Sequence, residues 1–291
     1  MNAVARSRRS FRHRVVAVAA GYAVWALVVP PIGAQVAHAA SGDVIERMHA
    51  YLDAYEPLLS ALVADEVFDQ RHQFRPGFAK LRRLESEIGF LRLPGGGPWL
   101  AQRSVQTIDG AAVPGGAANL EAILAMTGDD RFERARAVAE GNARHNLGHA
   151  RTMNVPTLPL ELLSRRHAPH FDIAVERRAT GRGTALLVVR EHEPGQVIAH
   201  DAGRFNRTAV RAWIRADDGA LLRADVTVYA PSGGTEPDRI RVDFRADATL
   251  GMLVPDRLEE RYWWNGEGRG TAVYRRYRRF QTAGRVLPPA P

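Results

Sequence analysis

Leu221-Leu222-Arg223-Ala224-Asp225-Val226-Thr227-Val228-Tyr229 alternates apolar and polar residues from Leu222 onward. Leu222, Ala224, Val226 and Val228 point one way; Arg223, Asp225, Thr227 and Tyr229 point the other. Strict period-two alternation is the mark of a strand with one buried face and one wet face. The pattern repeats downstream, where Ile240, Val242, Phe244 and Ala246 oppose Arg241, Asp243 and Arg245. Leu258, Tyr262 and Trp264 likewise oppose Arg257, Glu259 and Arg261. Several such strands in series predict an antiparallel sheet covered on one side and solvated on the other. The wet face carries both charge signs, and its cross-strand pairs contribute about 0.2–1 kcal/mol each.

Further strands are expected at Phe171 to Arg177, Thr184 to Glu191, Arg211 to Ile214 and Gly270 to Phe280, with Asp218-Gly219 as a hairpin turn. Upstream, Val63 to Phe74, Leu81 to Leu93 and Trp99 to Ile108 read as strands, and Asp109-Gly110 as a turn. Val44, Met48, Leu52, Tyr55, Leu59 and Leu62 recur at spacings of three and four, which predicts a helix from Asp43 to Leu62. Asp43 and Glu46 are its expected cap, and Pro57 is expected to kink or divide it. Helices are also expected over Ala117 to Met126, Arg131 to Leu147 and Leu160 to Ser164, the second stopped by Gly148.

The chain opens differently. Met1 to Arg14 is basic, Val15 to Val29 is apolar, and Ala37-His38-Ala39 offers small residues at a cleavage site. Residues 1–39 therefore read as a secretory signal peptide, 40–281 as a single domain and 282–291 as a disordered tail. The expected location is the periplasm or the exterior. Ser7-Arg8-Arg9-Ser10-Phe11 resembles the twin-arginine export signal. The leader holds Arg6, Arg8, Arg9, Arg12 and Arg14, five of the eight net positive charges, so the charge is no argument for a nucleic-acid partner. Cysteine is absent, which excludes disulfides, thiolate metal sites, a cysteine nucleophile and a lipoprotein anchor.

Trp213-Ile214-Arg215 followed by Asp218 to Asp225 resembles a tryptophan strand, turn and following strand of LolA-like proteins. Phe244 through Leu250-Gly251-Met252-Leu253-Val254-Pro255 to Glu260, and the closing Tyr274 to Phe280, share the resemblance. It implies an α+β fold: a curved antiparallel sheet, a half-open barrel, with helices packed on its apolar face. It also implies an apolar cavity holding acyl chains, as in outer-membrane lipoprotein carriers. Lipid or a lipoprotein is then the expected ligand, with contact to a membrane surface and no cofactor.

Trp213, Phe244, Glu260, Tyr262 and Trp264 are the candidate ligand-binding residues. Their aromatic rings equally suit a filled core. Glu260 falls on the apolar side, where a carboxylate needs a partner or a raised pKa. It suits a headgroup contact, a hydrolase acid beside a histidine, or a carboxylate paired with arginine. The charged sheet face suits a third role, as an interaction module in the envelope. No catalytic residue is assigned, and no metal: His145 and His149 lie four apart, but Gly148 separates them. Arg275-Arg276-Tyr277-Arg278-Arg279-Phe280 interleaves cations with aromatics and reads as a solvated edge strand.

Overall fold

The computed structural model describes residues 32–92, 99–115, 120, 130–178, 183–198, 206–229 and 236–279. Most of the expected leader, the helix expected near Ala117 to Met126 save Leu120, and the tail lie outside those residues. Helix α1 (Ile32–Leu59) precedes β1 (Leu62–Arg75), β2 (Phe78–Arg92), β3 (Trp99–Ile108) and the two-residue β4 (Ala111–Ala112). Helices α2 (Asp130–Ala143) and α3 (Leu158–Leu162) follow. The chain then runs through β5 (Phe171–Arg178), β6 (Thr184–Glu191), β7 (Arg207–Arg215), β8 (Leu221–Tyr229), β9 (Asp238–Asp247), β10 (Met252–Trp263) and β11 (Glu267–Arg279).

All eleven strands join one open sheet in the order β4-β3-β2-β1-β11-β10-β9-β8-β7-β6-β5. Every neighbouring pair is antiparallel. Two meanders, β1–β4 and β5–β11, are thus joined through β1 and β11, paired from Leu62↔Arg279 to Gln73↔Glu267. Strand β11 lies between β1 and β10, but its ladder to β10 ends at Val273, so Tyr274 to Arg279 pairs with β1 alone and keeps its arginines exposed, as expected of a solvated edge. The expected α+β architecture, a curved antiparallel sheet with helices on its apolar face, is what the chain adopts.

The alternation is realised as burial. Val210, Ala212 and Ile214 of β7, Ala224 and Val226 of β8, and Val242 of β9 are sealed from solvent. Met48, Leu52, Tyr55 and Leu59 of α1 lie buried in the same core. Each valine, isoleucine, leucine or methionine among them, taken out of water, contributes about 1.5–3 kcal/mol. Helix α1 crosses this face from the end of β7, where Arg47 Nε donates to the Ala216 carbonyl at 2.8 Å, to the end of β2, where Glu56 pairs with Arg92 at 2.9 Å. Gly219 permits the approach at the β7–β8 turn: its φ is +78°, and a Cβ there would collide with the Arg47 carbonyl.

Three expectations change. Helix α1 begins at Ile32, upstream of Asp43; Ala34, Gln35, Ala37, Ala39 and Ala40 favour that extension, and it runs through Gly33 and Gly42. Asp43 is consequently inside the helix and forms an ion pair with Arg47 instead of capping. Pro57 falls in the last turn, where it does not divide the helix. Helix α2 ends at Ala143, short of Leu147, so His145 and His149 share no helical face.

Candidate functional site

The inward face changes character in β1. Ala64 and Phe68 alternate there with Glu66, Gln70 and His72, and all five are buried. Glu260 and Tyr262 of β10 face the same interior, 6 % and 2 % exposed. These polar groups meet the irregular segment between α2 and α3.

Two buried ion pairs anchor that segment. Arg151 donates to both oxygens of Glu260, at 2.6 Å from Nη2 and 3.3 Å from Nε. Its Nη1 donates to the carbonyls of Leu147 and His149 at 2.7 and 3.0 Å. The guanidinium stacks 3.6 Å from the centre of the Tyr262 ring. The second pair joins Arg103 of β3 to both oxygens of Glu66, and Arg103 Nη2 also donates to the Asn154 carbonyl at 3.1 Å. Burial opposes the charge on Arg103, but the Glu66 carboxylate outweighs it and holds the guanidinium protonated more firmly than usual.

The segment's own backbone is satisfied from the sheet. The Leu147 carbonyl accepts from Tyr262 Oη at 2.6 Å, and its N–H donates to Gln70 Oε1 at 2.9 Å. Asn146 Nδ2 donates to the Arg151 carbonyl at 2.8 Å, and Asn154 Nδ2 to Asn146 Oδ1 at 3.0 Å. Burial raises the pKa of Tyr262, and raises that of Tyr274 further, with the charge of Glu66 adding to the effect. A recess of about 30 Å³ remains between Arg103, Asn142, Arg151 and Asn154, room for a water and little else.

Two glycines of β11 make room for this arrangement. Tyr262 is registered opposite Gly268, and Glu260 opposite Gly270. A Cβ at Gly268 would fall inside the Tyr262 ring, and one at Gly270 would press on Phe68 and Glu260. The side chains of β10 therefore lie across bare backbone.

Of the expected ligand-binding residues, Glu260 and Tyr262 stand together here. Trp264 lies just past β10, 47 % exposed, with its ring 5.0 Å from that of His149 and its carbonyl 2.8 Å from His72 Nε2. Phe244 is half-buried against the main core. Trp213 is on the opposite, charged face, with Arg211 and Arg223 each 5.8 Å from its ring centre, so it does not share a face with Glu260. The reason is parity: Ala212 and Ile214 take the inward positions of β7. Both Glu260 oxygens are engaged by Arg151, which is the arginine-paired reading and not the acid–histidine one.

Sequence reasoning missed Glu66, Gln70, Arg103, Arg151 and Asn154. Glu66 and Gln70 were detectable, because they alternate with Ala64 and Phe68 on an otherwise apolar strand face. Arg151 and Asn154 sit in a segment with no periodicity to flag them.

No protein-family model matches the chain, and no curated protein is similar to it. Among solved structures, it is similar to a DUF1329 family protein from Desulfovibrio piger, at 8 % identity and TM-score 0.40, covering 81 % of this chain and 93 % of that one. A LolA superfamily protein from Nitrosomonas europaea aligns at 9 % identity and TM-score 0.36, covering 81 % of this chain and 94 % of that one. A Vibrio parahaemolyticus domain named for outer membrane lipoprotein sorting aligns at 9 % identity and TM-score 0.36, covering 82 % and 92 %.

Proposed function

We propose that this chain is an exported, non-enzymatic envelope protein that takes up a lipid or lipidated ligand on the apolar face of its sheet and meets a membrane through the β1–β2 hairpin. The observation that carries the reading is the hairpin tip. Phe74, Phe78 and Leu81 are 45 %, 60 % and 73 % exposed there. Arg75 lies 4.3 Å above the Phe78 ring and Lys80 5.4 Å from the Phe74 ring. Large apolar side chains ringed by cations suit the boundary between acyl chains and anionic headgroups. The basic and apolar leader supports export.

The ligand belongs beneath α1. That helix is held at its outer surface by exposed ion pairs, Arg165 with Glu46 and with Asp53, which a headgroup or salt competes with readily. Its inner stripe of Met48, Leu52, Tyr55 and Leu59 is a surrogate for acyl carbon. Phe244 remains a candidate wall of the site. Glu260 and Tyr262 hold the segment before α3.

Native mass spectrometry of protein purified from the envelope tests this. Bound lipid is expected, and a Phe74→Ser, Phe78→Ser, Leu81→Ser triple variant is expected to melt normally yet lose that lipid and its retention on phosphatidylglycerol vesicles. Lipid-free wild-type protein that also ignores vesicles would overturn the proposal.

A further inference from the structure

The charged face of the sheet holds a feature that its overall balance conceals. The strand register sets Arg239 of β9 opposite Arg261 of β10, Arg261 opposite Arg269 of β11, and Arg269 opposite Arg71 of β1. Four arginines thus form one unbroken row across four adjacent strands. With strands about 4.8 Å apart, the row spans about 14 Å.

The neighbouring row behaves differently. Arg211, Asp225, Arg241, Glu259 and Thr271 face one another in turn, so its charges alternate and cancel. Arg241 is bonded to Asp225 at 2.8 Å, and Arg211 to Glu176 at 3.1 Å. The arginine row is relieved only in part. Arg261 and Arg269 share the one carboxylate of Glu267, at 2.7 and 2.6 Å, with Glu236 at 3.5 Å from Arg261. Arg71 bonds to the neutral amide oxygen of Gln73, and Arg239 makes no ion pair among the described residues. Like charges directly opposite each other on a sheet cost stability. A row of four is therefore a feature that folding alone does not favour.

The row opens onto a space. Arg239, Arg261 and Arg269 line a half-open recess of about 610 Å³ on this face, together with Arg211, Arg241 and the hydroxyl-bearing Thr227 and Thr271. Among the described residues, the acidic ones lining it are Asp225 and Glu259 of this face and Glu260, whose carboxylate is bonded to Arg151 on the other. The volume falls in the range of small-molecule sites, about 300–1,000 Å³. Guanidinium forks match phosphate oxygens two at a time, and flanking hydroxyls supply neutral donors.

We propose that this recess binds a ligand bearing two or more phosphate groups, with the Arg239–Arg261–Arg269 row as the contact surface. The site is separate from the apolar face, and its occupancy does not depend on the lipid reading above. The phosphates belong either to a soluble polyanion or to clustered lipid headgroups, and the two sources are separable by experiment.

The probe is sodium tripolyphosphate titrated calorimetrically into the purified protein, with retention on phosphatidylglycerol and phosphatidylcholine vesicles measured in parallel. Saturable binding that weakens with salt is expected. Arg239→Gln and Arg269→Gln are each expected to weaken it by about tenfold or more, the scale of one lost charge-assisted contact. Arg223→Gln, which removes the same charge outside the recess, is expected to leave it within about twofold, below the effect of a lost contact. Arg239→Gln is also expected to melt no lower than wild type, since it relieves a like-charge neighbour. Tripolyphosphate binding with phosphatidylglycerol retention absent, or unchanged in Arg239→Gln, assigns a soluble polyanion; phosphatidylglycerol retention lost in Arg239→Gln assigns headgroups. No tripolyphosphate binding by wild type, or equal losses in Arg239→Gln and Arg223→Gln, would overturn the proposal.

Discussion

Replacing Glu260 by alanine is expected to destabilise the fold far more than an exposed ion pair would suggest. Glu260 and Arg151 side chains are 3 % and 4 % exposed, and both carboxylate oxygens are engaged. Arg151 cannot swing to solvent without releasing the carbonyls of Leu147 and His149. The variant therefore leaves a buried guanidinium without its counter-charge, at a cost of about 3–5 kcal/mol. For a domain of this size each kcal/mol lowers the melting temperature by about 2–4 °C, so the expected drop is about 6–20 °C. Removing both charges in Arg151→Met, Glu260→Leu should recover most of that loss, because the pair's own desolvation penalty disappears with it. Urea unfolding followed by tryptophan fluorescence, run as a double-mutant cycle, measures the coupling. A Glu260→Ala loss within about 1 kcal/mol, the scale of a solvent-exposed pair, would refute the reasoning.

Gly268→Ala places a methyl inside the Tyr262 ring and should cost about 1–3 kcal/mol as overpacking, with the loss of the Tyr262 to Leu147 bond visible in tyrosine ultraviolet spectra. His49 is buried, and that burial, assisted by the charge of Arg165, lowers its pKa. The stability that its neutral form contributes is fully present above the unfolded value of about 6.5 and is lost as pH falls through that value toward the folded one. His49→Gln should flatten that part of the stability–pH curve, measured by chemical denaturation between pH 7.5 and 5, and an unchanged slope would count against the assignment.

The strands were legible where the chain alternates cleanly. Thr184–Glu191 and Leu221–Tyr229 are read from the sequence with the bounds they have in the fold. Strand β10 begins earlier than alternation suggests, at Met252, because Pro255 sits at a register irregularity against β9 where no ladder donor is needed. Strand β4 is too short to leave a pattern. At the candidate site Glu260 stood out as a carboxylate at an apolar position, but its partner did not. Arg151 is placed by a turn that only tertiary bonds define, and among so many arginines nothing in its neighbourhood marks it. The arginine row was invisible for another reason: Arg71, Arg239, Arg261 and Arg269 are far apart in sequence, and only the register aligns them.

The two covers of the inward face differ in what they can give up. The segment between α2 and α3 has no ladder of its own, so its backbone depends on groups from the sheet and on Arg151. The Leu147 carbonyl takes bonds from Tyr262 and Arg151, its N–H gives one to Gln70, and the Asn154 carbonyl takes one from Arg103. Lifting that segment would part Glu260 from Arg151, release the Arg103 bond to the Asn154 carbonyl and leave several backbone groups without partners, a penalty no acyl chain offsets. Helix α1 satisfies its own backbone and meets the core through Met48, Leu52, Tyr55 and Leu59, contacts that an acyl chain reproduces carbon for carbon. If the apolar face yields to a lipid, it yields at α1. The polar clamp around Glu260 then serves to keep the rest of the sheet closed while it does so.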